Sequence, residues 1–172
     1  MPNTYTLIAT QTLTSPAALI DFTSIPATFT DLQLLVYRRA VDNVLDDGIR
    51  FNNDANGVYS FTQMQSGASS GGVGTARNSA ATLSRAGGQE PSTYTANTFN
   101  SSSIYIPNYL GSNFKQFIAD GVDENKSTTN YAWFHAGLWR NTAAINRITI
   151  YQEPGGNMAT GTSVTIYGIK NS

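Results

Sequence analysis

The chain has one histidine, His135, placed between its only two tryptophans, Trp133 and Trp139. All three share one parity, so a strand through them turns their side chains to one face. A hydrolase triad needs a serine and a carboxylate within reach of the imidazole, and Ser and Asp are frequent enough to supply both by chance. No Gly-x-Ser-x-Gly elbow occurs, and between two tryptophans His135 reads as structural. With one histidine and no cysteine, imidazole clusters and thiolate metal sites are excluded. Asp42, Asp46, Asp47 and Asp54 offer oxygen ligands for calcium but lack the spacing of an EF-hand loop, and they read as turn carboxylates. The glutamates Glu90, Glu124 and Glu153 each fall in a predicted loop, so no facing pair for glycoside hydrolysis is evident. Gly71-Gly72-Val73-Gly74 is followed by Thr75-Ala76, where a phosphate-binding loop needs Lys and then Ser or Thr. Tyrosines and tryptophans stack on sugar rings, yet in an all-β domain they more often anchor cores and interfaces. No cofactor or metal is expected, and no catalytic motif appears.

The elements that carry these residues read as short strands. The segment Tyr131 to Lys170 holds three apolar-rich runs, Tyr131–Trp139, Ile145–Gln152 and Gly161–Lys170, with the breaker Glu153-Pro154-Gly155-Gly156-Asn157 before the last. That breaker predicts an antiparallel hairpin, and the block as a whole reads as the sandwich centre. Val164 and Ile166 share one parity while Tyr167 and Ile169 take the other, as in a strand covered on both faces. Upstream, strands are expected over Tyr5–Leu13, Leu19–Phe22, Leu32–Arg39, Ile49–Asn52, Val58–Gln63, Thr98–Pro107 and Phe114–Val122, with a shorter one at Ala81–Arg85. Asn53-Asp54-Ala55-Asn56-Gly57 is a turn that predicts pairing of its two flanking strands. The stretch 66–98, opened by the Gly/Ser-rich Ser66–Gly74, reads as one long flexible loop. Nine to eleven strands without a convincing helix predict an all-β fold, a jelly-roll-like antiparallel β-sandwich forming a single domain over 1–172.

Composition narrows the partners. Only 12% of the 172 residues are charged, about half the share of an ordinary soluble domain, and Thr, Ser and Asn fill roughly three positions in ten. Short neutral polar groups cost little to desolvate, which favours a lasting place in an assembly. A net charge of −1 with scattered basic residues leaves no footprint for nucleic acid. The N-terminus lacks the features of a signal peptide, and no run matches a membrane-spanning helix. The protein is expected to stay where it is made, unless it leaves inside a larger particle.

A set of fragments carries a resemblance across nearly the whole chain. They are Thr23–Leu32 (TSIPATFTDL), Arg50–Asp54 (RFNND), Ile104–Tyr109 (IYIPNY), Gly137–Trp139, Asn141–Ile145 (NTAAI) and Tyr167–Lys170 (YGIK). In this order they resemble small structural proteins of tailed bacteriophages, including capsid decoration or cement proteins and the globular ends of tail or head fibres. The resemblance implies a virion protein on the capsid exterior that binds the major capsid protein, associates with itself as a homotrimer, and uses no enzyme chemistry. Contacts are expected on the N-terminal arm (Pro2, Asn3, Thr4), on the long loop (Ser69, Ser70, Gly71, Gly72, Tyr94) and at Tyr109. The alternative is a fibre domain binding host glycans through exposed aromatics such as Trp133 and Tyr109.

Overall fold

The computed structural model describes residues 4–43, 46–67, 72–88, 91–127, 130–153 and 155–170. Eleven strands form, and no helix occurs among the described residues. In chain order they are β1 (Tyr5–Thr12), β2 (Leu19–Phe22), β3 (Asp31–Arg38), β4 (Asp46–Phe51), β5 (Tyr59–Gly67), β6 (Gly72–Ala81), β7 (Asn100–Ile106), β8 (Lys115–Asp123), β9 (Tyr131–Trp139), β10 (Ile148–Glu153) and β11 (Ser163–Ile169). Eight of them make one antiparallel sheet in the order β1-β11-β3-β7-β8-β9-β5-β6, and the other three make a small sheet, β2-β10-β4. The two sheets pack as a β-sandwich. Early and late strands alternate between the sheets, as in a jelly roll, while β5 to β9 all stay in the large one.

Period-two patterning explains the layers. In β8, Lys115, Phe117, Ala119, Gly121 and Asp123 are buried and alternate with exposed Gln116, Ile118, Asp120 and Val122. In β3, Leu32, Leu34 and Val36 point inward against Ile104 and Ile106 of β7. Ile20, Phe22, Ile49, Phe51, Ile148 and Ile150 of the small sheet close over them in a single core. Phe51 bridges the layers, with ring centroids 5.5 Å from Phe117 and 5.6 Å from Trp139. Trp139 stacks on Tyr59 at 6.4 Å, and its indole Nε1–H donates to Asp54 Oδ2 at 2.9 Å. This cluster holds Trp139, the largest fully buried side chain, with Tyr59, Phe51 and Phe117, and anchors one end of the interior.

Three sequence expectations change. The breaker at 153–157 does not close a hairpin, because β10 lies between β2 and β4 while β11 lies between β1 and β3. Nor do β4 and β5 pair across the turn 52–57; they belong to opposite sheets, and Phe51 meets Tyr59 across the interior. A breaker shows that the chain reverses, not whether the next strand joins the same sheet or crosses the core. Finally, the stretch 66–98 contains β6, which pairs along β5 from Tyr59↔Ala81 to Gly67↔Gly72. Its sequence, GVGTARNSAA, is poor in β-formers and has no apolar alternation, so backbone pairing rather than side-chain pattern makes it a strand. Beyond it, Ile49 and Ser84 exchange backbone bonds of 2.8 and 3.0 Å. Arg39 then gathers the carbonyls of Ser92, Tyr94, Thr95 and Thr98 at 2.7–3.2 Å, holding the segment before β7.

Candidate interaction surface

Trp133, His135 and Trp139 do share the inner face of β9, but their surroundings differ. Trp139 sits in the aromatic cluster, whereas His135 lies in register with Ala119 of β8 and Gln63 of β5. Around it the interior turns polar. Buried Arg38 ion-pairs with Asp47 at 3.5 Å and donates to the Gly88 carbonyl at 2.5 Å. Asn100, Ser102 and Asp123 are buried in the adjoining strands. The segment Ala86–Gly88 covers this end and is itself buried. Gly88 is required there, since a Cβ would lie 2.3 Å from Trp133 Cδ1 and 2.6 Å from Asn100 Nδ2.

His135 has no solvent exposure, and neither ring nitrogen has a hydrogen-bond partner among the described residues. Burial and then the Arg85 guanidinium push its pKa down to about 4; the Gly87 backbone pulls the other way but lies outside hydrogen-bond geometry. A neutral, sealed imidazole with no bonded hydroxyl or carboxylate is not arranged as a general base. Ser102 donates instead to Asn100 Oδ1. The turn carboxylates are dispersed: Asp42 accepts from the Asn157 N–H at 3.3 Å, Asp47 faces Arg38, and Asp54 faces Trp139. No cluster of three or more metal-ligating side chains occurs among the described residues.

The opposite face of the large sheet is built differently. The small sheet covers only the inner side, and among the described residues most outward side chains of the large sheet are partly or fully exposed. Leu35, Met64, Ile118, Val122 and Phe134 all stand there between 45% and 53% exposed. Between them lie Ser, Thr, Gln and Ala. Among the described strand residues, the exposed charges on this face are Asp120 of β8 and Arg77 of β6. Asp31 also has the outward parity, but it is buried under the 107–111 turn, where it accepts from Tyr105 Oη and the Asn108 N–H, each at 2.8 Å.

Across β8, β9, β5 and β6 this face is concave, forming a cleft of about 830 Å³. Ile118, Phe134 and Leu138 wall it, Ala136 lies on its floor, and Arg77 and Arg140 stand over it. Arg140 is fixed by donating to the carbonyls of Gly57 at 3.0 Å and Val58 at 3.4 Å. No carboxylate lines the cleft among the described residues. Chemically the cleft offers apolar walls, neutral hydrogen-bonding groups and two guanidinium ions, a surface suited to binding.

The contact residues expected from sequence are not brought together. Pro2, Asn3, Ser69, Ser70 and Gly71 lie outside the described residues. Thr4 is exposed beside β1, and its carbonyl accepts from the Lys170 N–H at 3.3 Å. Gly72 begins β6 opposite Gly67, and half-buried Tyr94 lies in the segment bound by Arg39. Tyr109 is a correction. It is fully buried, with its hydroxyl donating to the Pro26 carbonyl, because the turn after β7 folds its ring into the core. Tyr109 therefore presents no ring to a sugar or a partner. Trp133 is half-buried on the inner face, packed by Gly88 and stacked 6.0 Å from His135. The outer-face residues were missed because alternation reports only that one set of side chains is buried, and the apolar members of the other set look like ordinary strand formers. Compared with protein-family models, curated proteins and solved structures, the chain matches none.

Proposed function

We propose that this chain is a non-enzymatic structural protein of a bacteriophage virion that decorates the capsid exterior and associates through the outer face of its large sheet. The observation that carries the reading is that face itself: eight strands wide, not covered by the small sheet, with few charges among the described residues, and set with half-exposed Leu35, Met64, Ile118, Val122 and Phe134. Several half-exposed apolar side chains spaced over one neutral face mark an interaction site. Low charge favours a permanent contact, since few ions lose their hydration on docking. The resemblance of TSIPATFTDL, RFNND and IYIPNY to phage structural proteins supplies the virion setting. The function is mechanical: surface buried across capsid subunit boundaries raises the free energy needed to separate them.

The test is occupancy of capsids assembled without the protein. Wild type is expected to saturate them and raise their dissociation temperature. Phe134→Asp, at an exposed position, is expected to fold normally and to lose both effects. Equal saturation by Phe134→Asp and wild type would remove the outer face from the reading.

A further inference from the structure

Two groups on the outer face match each other. The cleft presents Arg77 and Arg140 above apolar walls, with no carboxylate in its lining among the described residues. Its chemical complement is a carboxylate held beside an apolar side chain. The same face carries such a pair, because Asp120 of β8 and Phe134 of β9 are directly opposite in the sheet register and both are exposed.

We infer that a second copy of this chain occupies the cleft, two copies pairing face to face so that Asp120 and Phe134 of each enter the other's cleft. This rests on the reading of the outer face as an assembly surface: the pair is the unit that decorates the capsid, so loss of pairing at Phe134 also loses occupancy.

Geometry permits the pairing. Arg77 lies in register with Thr62, Ala136 and Ile118, while Asp120 lies in the next outward row, with Phe134 and Met64. The two charges are therefore three strand spacings and one side-chain repeat apart, about 14 Å across the sheet and ~7 Å along it. A two-fold axis in the plane of the face, through the midpoint near Phe134 and Met64, exchanges the two positions. Both Asp120–Arg77 contacts form at once, as an isologous interface requires. Phe134, close to the axis, comes over Thr62 and Met64 of the facing β5. That axis overlays β8, β9, β5 and β6 of the two copies, four strands of nine or ten residues that give a patch on the order of 600 Å² per copy, at the small end of specific interfaces. The charges set register more than affinity, with the apolar residues between them supplying the driving force. Face-to-face contact closes at two copies, so the expected trimer would need a different surface.

Sedimentation equilibrium tests this with surface variants that leave the core untouched. Wild type is expected to dimerise. Asp120→Arg and Arg77→Asp, each placing like charges opposite one another twice, are expected to weaken dimerisation by roughly a hundredfold. The combined Asp120→Arg, Arg77→Asp chain is expected to recover most of that loss, and thermal melts should confirm that all variants fold. If both single variants dimerise like wild type while Phe134→Asp gives monomers, the reciprocal pairing is wrong and the assembly face stands. A monomeric wild type at every soluble concentration overturns self-pairing, while capsid occupancy still reports on the face.

Discussion

The interior of this sandwich has two unlike ends. At one, Trp139, Tyr59, Phe51 and Phe117 meet ring against ring, and the two polar atoms among them are bonded: the indole to Asp54, and the Tyr59 hydroxyl to the Phe51 backbone at 2.8 Å. At the other, Arg38, Asp47, Asn100, Ser102, Asp123 and His135 are just as deeply buried, and glycines at 88 and 121 let the covering segment come close. The same strands run through both ends. One end is held by apolar burial, which is tolerant of direction. The other is held by directed polar contacts whose failure leaves a charge or a donor without water. The two should therefore answer differently to substitution, acid and salt.

Trp139→Ala should have the largest effect. It removes the biggest buried side chain and leaves Asp54 without its indole donor, so a loss of about 4 kcal/mol is expected in urea unfolding at constant m-value. At the polar end, Arg38→Met alone should cost about 3–4 kcal/mol, because it removes the guanidinium that faces buried Asp47. Replacing both, with Arg38→Met and Asp47→Leu, should restore most of that loss. A double variant no more stable than the single one would mean that the ion pair is more than a local neutralisation.

Acid should separate the ends next. The neutral His135 ring, with its pKa near 4 against an ordinary 6.5, binds its proton less readily when folded than when unfolded. Its contribution is fully present above pH 6.5 and is lost as pH falls from 6.5 towards 4, about 3 kcal/mol in all. Asp21 stays out of this window. Burial, which raises its pKa, is outweighed by hydrogen bonds from Arg147 and Thr149, so the group lies below 3.8. Unfolding midpoints at pH 7 and pH 4.5 should therefore differ for wild type, and the difference should shrink in His135→Asn. An unchanged slope would place the acid sensitivity elsewhere. The smallest effect belongs to the outer face. Ile118→Thr, half-exposed and outside both ends of the core, should leave stability within about 0.5 kcal/mol while weakening assembly.

Much of the fold was legible because one face of most strands is apolar. LQLLVYRR and FKQFIADGV alternate clearly, and β9 fell where parity placed it, with Trp133, His135 and Trp139 on one side. Strand partners were not legible. The turns at 52–57 and 153–157 mark reversals, yet both carry the chain into the other sheet, and a turn's residues encode local φ and ψ rather than what lies across the core. β6 escaped notice because a strand secured by backbone pairing needs no side-chain pattern. The outer face escaped because its residues are individually ordinary, with Ile118, Phe134 and Asp120 becoming neighbours only in the sheet.

By itself the sequence determined the class of fold, the absence of thiol and multi-histidine chemistry, and the low charge. These follow from composition and from a period of two residues, both local properties. Tertiary structure decided which side chains share an environment. It sealed His135 among polar groups with no partner for its ring, folded Tyr109 into the core, and left most of the other side of the large sheet exposed. Burial and proximity depend on contacts between residues far apart in the chain, and no local pattern encodes them.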